Sequence, residues 1–219
     1  MHLGASGGKN LLYLYQGTRG NSRTAHLSRI AFSSEQASAI CAIERAELRM
    51  HLEVGELNSY VDLQGALVRL RCDVVLIAGH EAYLGLLDAL DDERREHFAV
   101  ALAELLATNC RPNATIVLLG CNTSYIGPEL ALRGLSAVAC DGEVDGNAFP
   151  AFIAGFISNI AAGRSSLDAF IGGCQLMLFE HWAAVRAIRW FGPGPDVEGR
   201  GYEWIRTPHF DSRPRNADA

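Results

Sequence analysis

Two short apolar runs, each followed within two residues by a reactive side chain, constrain this sequence most. Val74–Ala78 precedes His80, and Ala114–Leu119 precedes Cys121. Such runs are too short for helices and are typical of parallel strands buried on both faces. Ligands and catalytic groups collect beyond the carboxyl ends of these strands. We therefore expect His80 and Cys121 to meet at that edge, as a histidine base and a cysteine nucleophile.

A purely structural role for these two residues is the alternative. Cysteine is among the most buried residue types, and a cysteine at a strand end is commonly packing material. The pattern of residues leaves both interpretations open.

Strand and helix patterns alternate along the rest of the chain. We predict further strands near Leu11–Tyr15, Leu48–Gly55 and Ala137–Cys140, and helices near Ser34–Ala46, Tyr60–Leu70, Asp91–Thr108, Pro128–Arg133, Phe149–Ile160 and Ser165–Ile188. This order favours a parallel sheet covered by helices on both faces. The 219 residues, 49% of them hydrophobic, suit one domain with a sizeable core. We assign residues 1–10 to a flexible N-terminus, 11–191 to the domain and 192–219 to a partly disordered tail.

Six short motifs occur along the chain in an order that matters for comparison with known families. They are Leu11–Tyr15 with Arg19 and Arg23, Asp73–His80, Val117–Ser124, Ala137–Ala139 leading to Asp145, Phe149–Ile160, and Gly163–Ser165 leading to Ala169 and Phe170. In these motifs the stretch from Leu11 to about Leu178 resembles the caspase-like cysteine peptidases of the CHAT group, prokaryotic relatives of caspases, metacaspases and separase. The resemblance implies an α/β fold, a caspase-like three-layer sandwich with a mostly parallel central sheet. It also implies a His80/Cys121 dyad and an oxyanion site formed by the backbone N–H groups of Glu81 and Cys121.

Glu81 is a departure from the family pattern, which usually places glycine after the histidine. Glutamate keeps the backbone N–H, but it adds a negative charge where an oxyanion develops. A catalytically inactive pseudo-peptidase that holds a partner protein is therefore the alternative to an active enzyme.

Three acidic residues, Asp141, Glu143 and Asp145, follow the predicted strand at 137–140. Relatives such as separase and metacaspases prefer a basic residue before the scissile bond, so the resemblance implies a pocket for Arg or Lys built from Asp141 and Asp145. The alternative is a polar turn at the pairs Asp141-Gly142 and Asp145-Gly146, and the sequence leaves this choice open. For Glu143 we favour the turn.

Composition argues against several classes of partner and cofactor. A formal charge of -6 disfavours direct nucleic-acid binding. The six cysteines form no C-x-x-C pair, so we expect neither a zinc site nor a disulfide framework, and no cofactor. The sequence shows no signal peptide, and its longest apolar stretch, at 148–162, is too short for a membrane span. We expect a cytoplasmic protein.

The expected partners follow from the peptidase interpretation. They are a protein or peptide substrate and an activating partner protein, since the chain carries no recognisable sensor module. The resemblance implies a role in prokaryotic defence or cell death. A small-molecule enzyme on a flavodoxin-like sheet is a third hypothesis, but the sequence lacks a phosphate-binding glycine signature after the first strand.

Overall fold

The computed structural model describes residues 8–16, 50–57, 60–79, 92–193 and 203–206. The strands are β1 Lys9–Gln16, β2 Met50–Leu57, β3 Val74–Ala78, β4 Thr115–Leu119, β5 Ser136–Cys140, β6 Ile188–Gly192 and β7 Glu203–Arg206. The helices are α1 Tyr60–Arg69, α2 Asp92–Asn109, α3 Gly127–Leu132, α4 Phe149–Ala161, α5 Ser166–Leu178 and α6 Trp182–Val185. Two short 3-10 helices, Ser124–Ile126 and Gly146–Ala148, follow β4 and β5.

The described strands form one seven-stranded sheet in the order β2-β1-β3-β4-β5-β6-β7. The first five pair in parallel, whereas β6 runs antiparallel to β5 and β7 antiparallel to β6. All five residues of β3, of β4 and of β5 are buried, as their apolar runs predict for strands covered on both faces. The carboxyl ends of β3, β4 and β5 meet at one edge of the sheet.

Helices cover both faces of this sheet. Alternating residues of β1 point to opposite sides: Leu11 joins a core cluster with α4 and α5, and Leu12 joins one with α1, α2 and α3. Phe152 and Phe156 of α4 are completely buried in the first cluster, where each such side chain contributes about 1.5–3 kcal/mol. The predicted fold class is confirmed: the domain is an α/β, caspase-like three-layer sandwich with a mostly parallel central sheet.

The predicted last helix, Ser165–Ile188, is wrong in its second half. Helix α5 ends at Leu178, α6 covers only Trp182–Val185, and β6 begins at Ile188. The strand forms because Trp190 and Phe191 bury their rings on opposite faces of the sheet, a period of two that a helix cannot provide. Part of the segment assigned to the tail, Glu203–Arg206, is β7, which pairs with β6.

Some predicted features lie outside the described residues. They include the helix near Ser34–Ala46 and the site residues His80 and Glu81. None of the helices in the described part of the chain has the length and apolar composition that a membrane span requires.

Candidate active site

Cys121 lies two residues beyond the carboxyl end of β4, at the edge where the sequence predicts a site. It is half-buried, whereas the other cysteines in the described ranges, Cys72, Cys110, Cys140 and Cys174, are buried. Buried thiols are generally inert, and reactive ones are partly exposed. Cys121 is therefore the described cysteine best placed to react with a substrate.

The ends of β3 and β4 touch directly through two glycines. The Gly79 N–H donates to the Leu119 carbonyl at 3.0 Å, and a Cβ on Gly120 would lie 2.7 Å from the Gly79 oxygen. Only a residue without a side chain fits that approach. The register pairs Ala78 with Leu119, so Gly79 and Gly120 form the next step. In the sequence, His80 directly follows Gly79, and Cys121 directly follows Gly120.

The sulfur of Cys121 contacts the loop that follows β5. The Val144 N–H donates to the sulfur at 3.4 Å, and the thiol lies 3.8 Å from the Val144 carbonyl oxygen. The loop is also tied to the Cys121 turn by a 3.1 Å bond from the Asn122 N–H to the Gly142 carbonyl. Both turn residues have positive φ, 55° at Asn122 and 103° at Gly142, a region open to asparagine and glycine. The acidic loop therefore lies directly against the thiol.

Asp141 is held by an ion pair within the chain. The Arg189 Nη2 lies 3.0 Å from the Asp141 Oδ2, and the Asp141 N–H donates to the Ala187 carbonyl at 2.7 Å. The Arg189 side chain is 11% exposed, and its Nη1 also donates to the carbonyls of Arg186 and Ile188. Asp141 thus anchors the loop to β6, and Arg189 offsets its charge.

Asp145 caps the 3-10 helix at 146–148. Its Oδ1 accepts from the Asn147 backbone N–H at 3.0 Å and from the Asn147 Nδ2 at 2.9 Å. This arrangement is the turn chemistry that the Asp-Gly pair predicts. Asp145 and Glu143 are both exposed. Asp141 and Asp145 therefore have the structural roles of the turn alternative, while a role in binding substrate stays a prediction.

Thr123 joins the ends of β4 and β5 beneath the Cys121 turn. Its side chain is buried, and its hydroxyl donates toward the Gly120 carbonyl at 3.0 Å and the Leu118 carbonyl at 3.3 Å. The same oxygen accepts the Cys140 N–H at 3.0 Å. The hydroxyl hydrogen and one of the two oxygen lone pairs are used within the protein, and the side chain is buried, so Thr123 supports the turn from beneath.

Burial governs the other thiols. Desolvation raises the pKa of Cys140 to about 12, with an opposing hydrogen bond from the Gly120 backbone. Desolvation likewise raises the pKa of Cys72 and of Cys110 to about 12 each. These three thiols therefore stay protonated at neutral pH, the form in which a thiol is a poor nucleophile.

Within residues 8–16, 50–57, 60–79, 92–193 and 203–206, no group of three or more His, Cys, Asp or Glu side chains is placed to hold a metal ion. The Cys121 N–H, one of the two predicted oxyanion donors, has no hydrogen-bond acceptor among these residues. The second predicted donor, the Glu81 N–H, lies outside them.

No protein-family model matches the sequence, and no curated protein matches it. The resemblance to caspase-like peptidases therefore rests on the sequence motifs.

Sequence reasoning missed Thr123 and Arg189. Thr123 stands before a turn, where its hydroxyl is expected to cap the turn, but it makes no such bond. The predicted helix Ser165–Ile188 stops one residue before Arg189, and no strand is predicted after it, so the sequence does not indicate that Arg189 of β6 lies opposite Ala139 of β5. A run of aromatic residues ending at Gly192-Pro193 was the available signal for that strand.

Proposed function

We propose that this chain is a cysteine endopeptidase of the caspase-like type, with Cys121 as nucleophile and His80 as general base. The observation that carries the proposal is the contact between Gly79 and Gly120, the residues that immediately precede the two. In the sequence His80 directly follows Gly79, and Cys121 directly follows Gly120, which supports pairing the two as a dyad. The half-exposed Cys121 adds support, because it differs from the buried cysteines around it.

In the proposed reaction, His80 takes the Cys121 thiol proton as the sulfur attacks the substrate carbonyl carbon. The backbone N–H groups of Cys121 and Glu81 bind the oxyanion of the tetrahedral intermediate. His80 then gives the proton to the departing amine, which leaves an acyl-Cys121 thioester. Water hydrolyses the thioester and restores the free thiol.

The proposed substrate is a protein cut after a basic residue. The loop that touches the Cys121 sulfur through Val144 carries three carboxylates, at Asp141, Glu143 and Asp145, and within the described part of the chain Arg189 pairs with Asp141 alone of the three. The remaining negative charge beside the thiol favours a cationic side chain. A cytoplasmic role in prokaryotic defence or cell death, with an activating partner protein, extends this proposal on the resemblance alone.

A pseudo-peptidase is the second candidate, and the contact between Cys121 and Val144 favours it. A sulfur already engaged by the Val144 backbone must leave that contact before it can attack a carbonyl. The carboxylate of Glu81 beside the oxyanion site would further weaken turnover. Such a protein would bind the same basic peptides without cutting them.

A peptide library tests both candidates at once. Wild-type protein is incubated with the library beside the Cys121→Ala variant, and products are identified by mass spectrometry. The peptidase proposal predicts cleavage that the variant lacks, with Arg or Lys before the cut. Equal cleavage by both proteins refutes it, and uncut peptides retained equally by both proteins support the pseudo-peptidase.

A further inference from the structure

The hydroxyl of Thr123 occupies a position that a strand-to-strand hydrogen bond would otherwise fill. Strands β4 and β5 pair at Thr115–Ser136, Ile116–Ala137 and Val117–Val138, and the Ser136 N–H donates to the Ala114 carbonyl at 3.0 Å. Parallel ladders repeat every two residues on both strands. Two such steps make the Leu118 carbonyl the expected acceptor of the Cys140 N–H.

The structure shows a two-bond bridge there instead. The Cys140 N–H donates to the Thr123 Oγ1 at 3.0 Å, and the Thr123 hydroxyl lies 3.3 Å from the Leu118 carbonyl oxygen. One direct bond of about 2.9 Å is thus replaced by two in series, so the two strand ends are held apart. The opening lies beneath the turn that carries Cys121.

The single hydrogen of the Thr123 hydroxyl is shared between the Leu118 and Gly120 carbonyls, and the Gly120 oxygen is the nearer, at 3.0 Å. That carbonyl belongs to the same peptide unit as the Cys121 N–H, and no peptide bond among the described residues is cis. In a planar trans peptide the C=O and the N–H point in opposite directions. A bond that fixes the Gly120 oxygen therefore also fixes the direction of the Cys121 N–H.

We propose that Thr123 is a positioning residue, which holds the Gly120–Cys121 peptide so that the Cys121 N–H faces the oxyanion. This inference rests on the proposed peptidase function for its catalytic meaning. The orientation of the peptide itself does not depend on turnover, so the two claims have separate tests.

The test of orientation compares Thr123→Val, which keeps the shape and removes the hydroxyl, with Thr123→Ser, which keeps the hydroxyl. Backbone amide NMR measures the Cys121 resonance and the hydrogen-exchange rate of the Cys140 N–H. In Thr123→Val we expect a shifted Cys121 resonance and Cys140 exchange faster by about 2- to 10-fold, the factor for one lost hydrogen bond. Thr123→Ser should match the wild type.

The test of catalysis uses the same variants with a cleaved peptide. Loss of one oxyanion donor lowers kcat by about 10²–10³, so we expect Thr123→Val to lower kcat by at least about 10-fold, with KM nearly unchanged and recovery in Thr123→Ser. Alkylation of Cys121 by iodoacetamide forms no oxyanion and should keep its wild-type rate.

Thr115→Val is the matched control, because Thr115 is a buried threonine at the amino end of β4, the end of the strand away from Cys121. It should leave kcat and the Cys121 resonance unchanged. If Thr123→Val does not fold, Thr123→Ala against Thr123→Ser makes the same comparison.

An unchanged Cys121 resonance and unchanged Cys140 exchange in Thr123→Val overturn the positioning role. Equal losses of kcat and of alkylation rate overturn it as well, because they indicate general displacement of the thiol. A wild type that cuts no peptide overturns the proposed function instead, and NMR alone then decides the orientation of the peptide.

Discussion

The ion pair between Arg189 and Asp141 should contribute measurably to stability, more than a surface pair does. The guanidinium is 11% exposed and the carboxylate 56%, with 3.0 Å between Nη2 and Oδ2. Exposed pairs contribute about 0.2–1 kcal/mol, whereas breaking a buried pair costs about 3–5 kcal/mol. Because one partner is nearly buried and the other half-exposed, we expect a coupling energy of about 1–2 kcal/mol. For a chain of this length that corresponds to about 2–8 °C in Tm.

A double-mutant cycle measures this coupling. Arg189→Gln, Asp141→Asn and the double variant are unfolded in urea, and the free energies of unfolding are compared. The pair Arg69–Glu53 is the matched control, since its atoms are 2.9 Å apart but its side chains are 65% and 30% exposed. We expect a coupling below about 1 kcal/mol for that pair.

The same variants test whether the pair holds the loop over the thiol. Either single change should increase the rate at which iodoacetamide alkylates Cys121, because the Val144 contact with the sulfur depends on a loop that Asp141 anchors. A coupling no larger than that of the control pair, together with an unchanged alkylation rate, would refute this reasoning.

Three further predictions concern the strand contact, the acidic loop and the buried thiols. Gly120→Ala should destabilise the protein by about 1–3 kcal/mol, measured by urea unfolding, and should abolish cleavage, because the added Cβ would lie 2.7 Å from the Gly79 oxygen. Gly65→Ala is the control. Its added Cβ would meet only an arginine side chain, at 3.6 Å, so it should not destabilise the protein. Asp145→Asn removes a charge but keeps an oxygen that can accept the Asn147 N–H, so Tm should be unchanged. The kcat/KM for cleavage after Arg or Lys should fall by the equivalent of about 1.5–3 kcal/mol relative to neutral substrates. Equal losses on basic and neutral substrates would assign the residue a structural role alone. The folded-state pKa of Cys110 is raised from 9.0 to about 12, so its contribution to stability is complete below pH 9 and is lost as pH rises toward 12. Between pH 9 and 11 the urea midpoint of Cys110→Ala should therefore fall less than that of the wild type, and parallel curves would contradict the shift.

The central sheet could be predicted because its signal is local. The runs that form β3 and β4 are buried at every position, and the structure gives them nearly the predicted bounds. The helix at Phe149–Ile160 was also predicted within one residue, since its aromatic side chains recur at helical spacing.

The end of the domain could not be predicted in the same way. Strand β6 follows a short helix without a strong turn signal, and it runs antiparallel at the edge of a parallel set. Its Trp190 and Phe191 fit a strand only once the sheet between two helical layers exists. Tertiary packing therefore decided this segment, not local propensity.

The candidate site also has a part that local sequence predicts and a part that it does not. The position of Cys121 after β4 follows from the sequence, because strand ends are marked by composition. The bonds around it do not: Thr123 joins two strands, Val144 meets the sulfur across 23 residues, and Arg189 reaches Asp141 across 48. Such contacts depend on register and loop geometry that no short motif records.

Covalent labelling tests the central claim, that Cys121 is the nucleophile of a peptidase, most directly. A peptidyl acyloxymethyl ketone ending in arginine is incubated with the wild type, and the modified residue is mapped by mass spectrometry. We expect one label, on Cys121, that His80→Ala greatly slows and that Cys121→Ala abolishes. A label on another cysteine, or peptide cleavage that continues in Cys121→Ala, would contradict the account.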